Sequence, residues 1–296
     1  KIYGQWLCGS AVMVYEFERF HAEQMMEVLE KYQVTTFCAP PTLYRLMAKT
    51  GIRREAFASV QHTSTAGEAL QEEIIRLFYE ATGLEIMEGF GQSETTLIIG
   101  NFAGSSPKRG SMGKPNPLFP VALVDHDLHP VPVGETGEIV IDTRERMPEG
   151  LCMGYEKNED ATARYWRGGF YSTGDTAYMD EDGYYYYVGR VDDVIKSSGY
   201  RIGPFEIESV IMELPYVLEC VVVQREHRLI ALTYPDRDAA IADGLIDDAA
   251  IMQHLENHKK ELNRRFPVYA QVNAFELMEN EFEKTPKRNI KRYLYT

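Results

Sequence analysis

In the stretch Glu88-Gly89-Phe90-Gly91-Gln92-Ser93-Glu94-Thr95-Thr96 an aromatic sits between two glycines, and a hydroxyl and a carboxylate follow. An aromatic face can stack on a base, a hydroxyl can reach a phosphate, and a carboxylate can hold Mg²⁺. A Gly-rich loop with a solvated glutamate has the same composition. Thr63-Ser64-Thr65-Ala66-Gly67-Glu68 offers small residues at a strand end, where a ligand can approach backbone closely, or an ordinary βα turn. Tyr171-Ser172-Thr173-Gly174-Asp175 sets an acid on a tight glycine turn, from which it can accept both hydroxyls of a ribose or simply cap the turn. Gly189-Arg190-Val191-Asp192-Asp193 follows, its arginine fit for phosphate or for a surface ion pair worth little. Lys196-Ser197-Ser198-Gly199-Tyr200-Arg201-Ile202-Gly203 is basic, Gly-rich and leads into a helix start, a sensible place for phosphates.

The elements that must carry these groups fall into three textures. Apolar spacing predicts helices from His21 to Tyr32, from Pro41 through Leu46 and from Gln71 to Ala81. Strands at Val34 to Cys38, Val60 to Thr65 and Leu84 to Met87 alternate with them, the mark of α/β layering with parallel strands. From about Gly110, short strands at Val121 to Val124, Gly137 to Ile141, Gly169 to Ser172 and Tyr184 to Val188 are separated by Gly, Pro and Asp turns. They read as a small antiparallel sheet or barrel. From Asp192 a third texture starts. Gly203-Pro204 opens a helix with Ile207, Ile211 and Leu214 on one face, followed by strands at Cys220 to Gln224 and Leu229 to Thr233 and a helix from Asp247 to Arg264. The expected organisation is residues 1–108 as part of an α/β subdomain, 109–191 as a β-rich subdomain and 192–296 as a small, mobile α+β lid domain.

The composition is that of an ordinary globular protein, 44% apolar and 26% charged over 296 residues. A net charge of −14 argues against a broad nucleic-acid footprint, although the tail is locally basic at Lys284, Lys287, Arg288, Lys291 and Arg292. Cys8, Cys38, Cys152 and Cys220 form no CxxC pair and sit among apolar or small residues, so they read as buried free thiols in a reducing, cytoplasmic setting. Zinc has no support from ligand spacing. No apolar run approaches the roughly 20 residues that span a bilayer.

In order and spacing these motifs resemble the acyl-adenylate-forming, or AMP-binding, superfamily. The strongest lines are GFGQSETT, GSMGKP (Gly110 to Pro115), YSTGD and GRVDDVIKSSGYRIGPFEIE (Gly189 to Glu208). IYGQWL and CAPPTLYR (Cys38 to Arg45) are similar to the medium-chain acyl-CoA synthetases within it. The resemblance implies an acid–thiol ligase that first joins a carboxylate to AMP, with release of pyrophosphate, and then passes the acyl group to CoA. Its ligands would be ATP or AMP, Mg²⁺, CoA and a small carboxylic acid. It implies further that Gly67 and Glu68 line the adenine side, with Phe90 beside the base and Gly91 and Gln92 in the nucleotide site, and that Phe37 to Tyr44 and Gly89 to Gly91 border the acyl pocket. Ser93 would contact phosphate and Glu94 would ligate Mg²⁺. Asp175 would hold the ribose, and Arg190 the ribose or phosphate. Arg201 would contact phosphate in one pose of the lid, and Ser197, Ser198 and Gly199 would line the CoA path in the other. Asp192 would be the hinge. Adenylation units that load a carrier-protein thiol share these motifs, and a non-catalytic module that binds nucleotide or a partner is a reading from another class.

Two departures matter. The family's Ser/Thr/Gly-rich phosphate loop has no counterpart before Gly89, so this stretch is expected to be a fragment, inactive alone. The family tail, close to Lys-Thr-x-Ser-Gly-Lys-Ile-x-Arg, matches at Lys284, Thr285, Ile290 and Arg292 but places Asn289 where the catalytic lysine belongs. Asn carries no charge, and Lys291 or Lys287 is expected to compensate.

Overall fold

The computed structural model describes residues 2–17, 20–67, 70–102, 104–197, 200–285 and 290–296, with backbone alone at 2, 3, 196, 197, 200 and 201. Two compact units divide the chain: residues 1–116 with 150–152, and residues 117–149 with 153–296.

The first unit holds α1 (Ile2–Leu7), α2 (Ala22–Lys31), β1 (Thr36–Cys38), α3 (Pro41–Thr50), β2 (His62–Ala66), α4 (Glu72–Thr82), β3 (Ile86–Gln92), β4 (Thr96–Gly100) and β5 (Lys114–Pro115). Its sheet runs β1-β2-β3-β4-β5. β1, β2 and β3 are parallel, as the alternation of elements requires, while β4 and β5 add antiparallel. The apolar stripes of the helices make the core: Met25, Met26 and Leu29 from α2, Tyr44 and Met47 from α3, and Ile74, Ile75 and Phe78 from α4 close over Phe37 and Phe57. Four edge-to-face contacts tie Phe37, Tyr44, Phe57 and Phe78 together, with ring centroids from 5.1 to 6.1 Å apart.

The expectation of buried thiols fails for two cysteines. On β1 successive side chains alternate, so Phe37 takes the core face and Cys38 is exposed. Cys8, just after α1, is exposed as well, Cys152 is half-buried, and only Cys220 of the four is buried.

The second unit begins with an antiparallel sheet of β6 (Val121–Val124), β7 (Gly137–Asp142), β9 (Phe170–Met179) and β10 (Tyr185–Arg190), ordered β10-β9-β7-β6. α5 (Glu159–Tyr165) and the short β8 (Trp166–Arg167) precede β9, which β8 pairs. A hairpin of β11 (Ile195–Ser197) and β12 (Tyr200–Ile202) leads into α6 (Pro204–Ile211), where the sequence alone anticipated only a basic run before a helix. β13 (Val217–Arg225) and β14 (Arg228–Pro235) pair antiparallel. The chain then crosses through α7 (Arg237–Ala242) and α8 (Asp248–Asn263) to β15 (Ala274–Leu277), parallel to β14. Ile207 and Ile211 of α6, Cys220 and Val222 of β13, and Ile251 and Leu255 of α8 fill the core of this part. No described helix is long and apolar enough to cross a membrane.

Candidate functional site

In the first unit, the motif expected as a glycine-rich loop is a strand followed by a tight turn. Phe90, Gly91 and Gln92 lie on β3, and Ser93 and Glu94 form the turn into β4. The turn is held from within: Gln92 donates its N–H to the Thr95 hydroxyl at 2.9 Å, and Thr95 donates its N–H to the Gln92 carbonyl at 3.2 Å. Thr96 adopts the left-handed region, with φ +60°. A Cβ on Gly91 would sit 1.7 Å from the Thr96 carbonyl oxygen, so the second glycine of the motif is required by the return of β4. Ser93 is exposed and Glu94 half-buried, while the Glu94 carbonyl accepts from Cys152 at 2.7 Å. Phe90 lies opposite Ile99.

Gly67 follows β2, whose last residue Ala66 lies beside Gly89, so the two small-residue motifs end on neighbouring strands. Glu68 lies outside the described residues. Glu88 on β3, to which the motif reading gave no role, reaches the segment just before α4: its Oε1 accepts the Leu70 N–H at 3.2 Å. By surface area the residue is only partly covered, yet the carboxyl itself is packed in protein. Burial lifts its pKa to about 7, against the pull of that N–H.

In the second unit, Thr173-Gly174-Asp175 lies on β9 and Arg190 ends β10, directly opposite Asp175. Asp175 is 5% exposed. Its Oδ2 receives Arg190 Nη1 at 2.8 Å, and Oδ1 receives the Tyr187 hydroxyl at 3.1 Å. Arg190 Nη1 also donates to the Thr173 carbonyl at 3.1 Å. Burial opposes the Arg190 charge, but the Asp175 carboxylate together with the Tyr187 and Tyr165 hydroxyls outweighs it, and the guanidinium pKa is raised. Gly174 has φ +71°, and a Cβ there would lie 2.8 Å from Arg190 Nη2. Glu138 on β7 secures this turn. It is 8% exposed, accepts the Gly174 N–H on Oε1 at 3.2 Å and pairs through Oε2 with Arg167 at 2.7 Å. A buried carboxylate with two donors is the economical way to fix a left-handed turn inside a sheet.

Tyr187 and Glu138 were not singled out in the sequence. One sits within the run Tyr184 to Tyr187, and the partners of the other are 29 and 36 positions away. The signal for Tyr187 is parity. Its strand register shifts between Tyr187 and Gly189, which inserts Val188 as an extra residue. Two residues three apart on a regular strand face opposite ways, and a bulge between them restores a common face. Tyr187 and Arg190 therefore both meet Asp175.

Asp192 follows in the next turn and pairs with Arg164 at 3.5 Å on an exposed surface. Arg201 lies opposite Lys196 across the β11–β12 hairpin, and Ser197 lies opposite Tyr200. Their side chains, and Ser198 and Gly199 entirely, lie outside the described residues. So do Lys287 and Asn289. The tail around them is closed by an antiparallel bridge between Lys284 and Ile290. Lys284 is paired with Glu219 at 2.6 Å and Glu281 at 2.9 Å, and Lys291 with Glu283 at 3.2 Å. Arg292 forks onto both oxygens of Glu208, which is 2% exposed, and its Nε lies 3.6 Å from Asp193.

Among the described residues, Asp125, His126 and Asp127 lie close enough to share an ion. The Asp125 carboxylate already accepts the N–H groups of Asp127 and His129, each at 2.9 Å, which makes this an exposed turn.

Comparison with known proteins agrees with this geometry. A family model described as AMP-binding enzyme matches residues 1–155, and one described as AMP-binding enzyme C-terminal domain matches residues 192–295. The chain is 44% identical over 223 residues to the mitochondrial acyl-coenzyme A synthetase ACSM3 of Homo sapiens, a match covering 75% of this chain and 38% of that protein. The fold is shared with an anthranilate CoA ligase solved with anthranoyl-AMP, at TM-score 0.80 and 26% identity over 98% of this chain and 53% of that one. It is shared too with a benzoate CoA ligase from Burkholderia xenovorans LB400, at TM-score 0.75 and 26% identity over 94% of this chain and 54% of that one. The chain thus spans between a third and about half of the length of the relatives it matches. Matched over more than half its residues by the first family model and over its C-terminal region by the second, the chain belongs to the AMP-binding enzyme family.

Proposed function

We propose that this chain serves an ATP-dependent acyl-CoA synthetase. In the first half-reaction a carboxylate oxygen attacks the α-phosphorus of ATP, the bond to pyrophosphate breaks, and an acyl-adenylate forms. In the second a CoA thiol, losing its proton, attacks the acyl carbon and AMP departs. The observation that carries the reading is the buried Asp175, aimed by the Gly174 turn and held by Arg190, which makes a rigid acceptor for a ribose diol. The 44% identity to an acyl-coenzyme A synthetase and the anthranoyl-AMP bound to a structural relative support it.

In this reading Gly67, Glu68, Phe90, Gly91 and Gln92 border adenine and acyl group, Ser93 meets phosphate and Arg190 the ribose or phosphate. Glu94 is a single hard oxygen donor, half-buried on a turn, which suits Mg²⁺, an ion that takes one or two carboxylates and keeps waters and phosphates for the rest. The bound ion would supply charge neutralisation on the triphosphate. Arg201 would contact phosphate, and Ser197, Ser198 and Gly199 the CoA path, as residues 192–296 swing about Asp192 relative to a β-rich subdomain ending at residue 191. Lys291 or Lys287 would supply the cation missing at Asn289. The Lys291–Glu283 pair is solvent-screened and holds the lysine weakly, so an anion can draw it away. A reducing aqueous compartment fits the four free thiols; the human relative ACSM3 is mitochondrial, so the cytosol is one candidate beside the mitochondrion.

The test is calorimetric titration of a non-hydrolysable acyl-adenylate analogue into the chain and its Asp175→Ala variant. Binding that the variant abolishes is expected. Equal binding by both removes the ribose role from Asp175 and with it the support for this function. If the folded chain binds nothing, the same titration on the full-length protein decides whether residues beyond this sequence are needed.

A further inference from the structure

We propose that Tyr187 is a positioning residue for ribose recognition, its hydroxyl fixing the plane of the Asp175 carboxylate so that the acid meets a cis-diol. The inference rests on the reading of Asp175 as the ribose acceptor.

A carboxylate on a short side chain rotates about its last bond, and a diol reader must not. Here the two oxygens are taken from two sides: Arg190 Nη1 reaches Oδ2 at 2.8 Å and Tyr187 reaches Oδ1 at 3.1 Å. Two donors on two different oxygens define a plane, where one donor would leave a swivel. Each carboxylate oxygen has room for more than one donor, so these contacts orient the group without exhausting it. The Tyr187 ring is itself held. It packs edge-on against Phe205 of α6, with centroids 6.1 Å apart and planes at 77°. Burial, and then the charge of Asp175, push its hydroxyl pKa well up, so it stays a donor throughout the working pH range. The register shift at Val188 has the effect of putting this hydroxyl on the Asp175 face.

The experiment measures binding of AMP and of 3′-deoxy-AMP to the full-length protein as wild type, Tyr187→Phe and Tyr186→Phe. The Tyr186 hydroxyl bonds Asp180 at 3.2 Å and serves as the control. In wild type AMP is expected to bind better than its deoxy analogue. Tyr187→Phe should lower AMP affinity about tenfold, the scale of one hydrogen bond to a charged group. It should also shrink the AMP to 3′-deoxy-AMP ratio, whereas Tyr186→Phe leaves both unchanged. A purely structural role for Tyr187 would weaken both nucleotides alike, so a preserved ratio overturns the proposal while leaving the ribose reading intact. If wild type binds neither nucleotide, or does not distinguish them, the ribose reading falls and the proposal with it. Should Tyr187→Phe not fold, 3,5-difluorotyrosine at position 187 keeps the ring and strengthens the donor. That substitution should widen the ratio, and no change in it counts against the proposal.

Discussion

Burial lifts the pKa of the Glu88 carboxyl to about 7, with the Leu70 N–H as its hydrogen-bond donor among the described residues. Its folded pKa of about 7 stands above the value near 4.5 of an open chain, so the folded state binds the proton more tightly. Stability from this group is therefore full below about pH 4.5 and is lost as pH rises towards 7, by on the order of 3 kcal/mol at most. Urea denaturation of wild type and Glu88→Gln between pH 5 and 8 should show the wild-type midpoint falling relative to the variant; parallel curves would mean that the carboxyl titrates normally. The half-buried Arg292 makes the opposite case, matching the charge of the buried Glu208. Truncating it leaves Glu208, 2% exposed, without its fork, and Arg292→Ala should cost about 3–5 kcal/mol. Pairing it with Glu208→Gln should recover part of that loss in the same denaturation assay, and a single-variant cost below about 1 kcal/mol would sink the argument. At this scale the sequence singled out Asp175 and Arg190, each within a short motif, and the structure pairs the two with each other. Glu138 and Tyr187 stayed hidden, because a strand pairing and a bulge bring them in from afar.

Among the elements, those with clear apolar periods were legible. The helices α2, α4 and α8 fall within a residue or two of their expected ends. What escaped was β4 and the continuation of the Leu84 to Met87 strand through Gln92, because two glycines and a short apolar run read equally well as a loop. The close approach of Gly91 to Thr96 settles it, and no local propensity encodes that approach. The tail is an element-scale matter too. Its described residues are held by the Lys284–Ile290 bridge and the Arg292 fork on Glu208. Asn289→Lys in the full-length protein is expected to raise the adenylation rate while leaving thioester formation from a supplied acyl-adenylate unchanged. An unchanged adenylation rate would mean that the slot is misassigned or matters little.

Over the whole chain, each unit is organised on its own apolar cores, that of residues 1–116 around Phe57, Phe78 and Tyr44, the other's around α6, β13 and α8. Phe78 is fully buried, and Phe78→Ala should cost about 3–5 kcal/mol. Hydrogen exchange should record the loss in α2, α3 and α4 while β13 and β14 keep their protection; a uniform loss would show a single cooperative core. The sequence's three textures are local properties of composition. The division at Asn116–Pro117, with Gly150–Cys152 returning to the first unit, depends on long-range packing that composition does not record. One contact in the second unit spans two of those textures. Phe205, in the first turn of α6, rests on the ring whose hydroxyl steadies Asp175. Docking of that helix and orientation of that acid thus meet on one side chain, and with Asp175 as the proposed diol acceptor thermodynamic linkage makes the traffic two-way: by whatever factor a docked α6 tightens the grip on a diol, a bound diol must tighten the docking of α6.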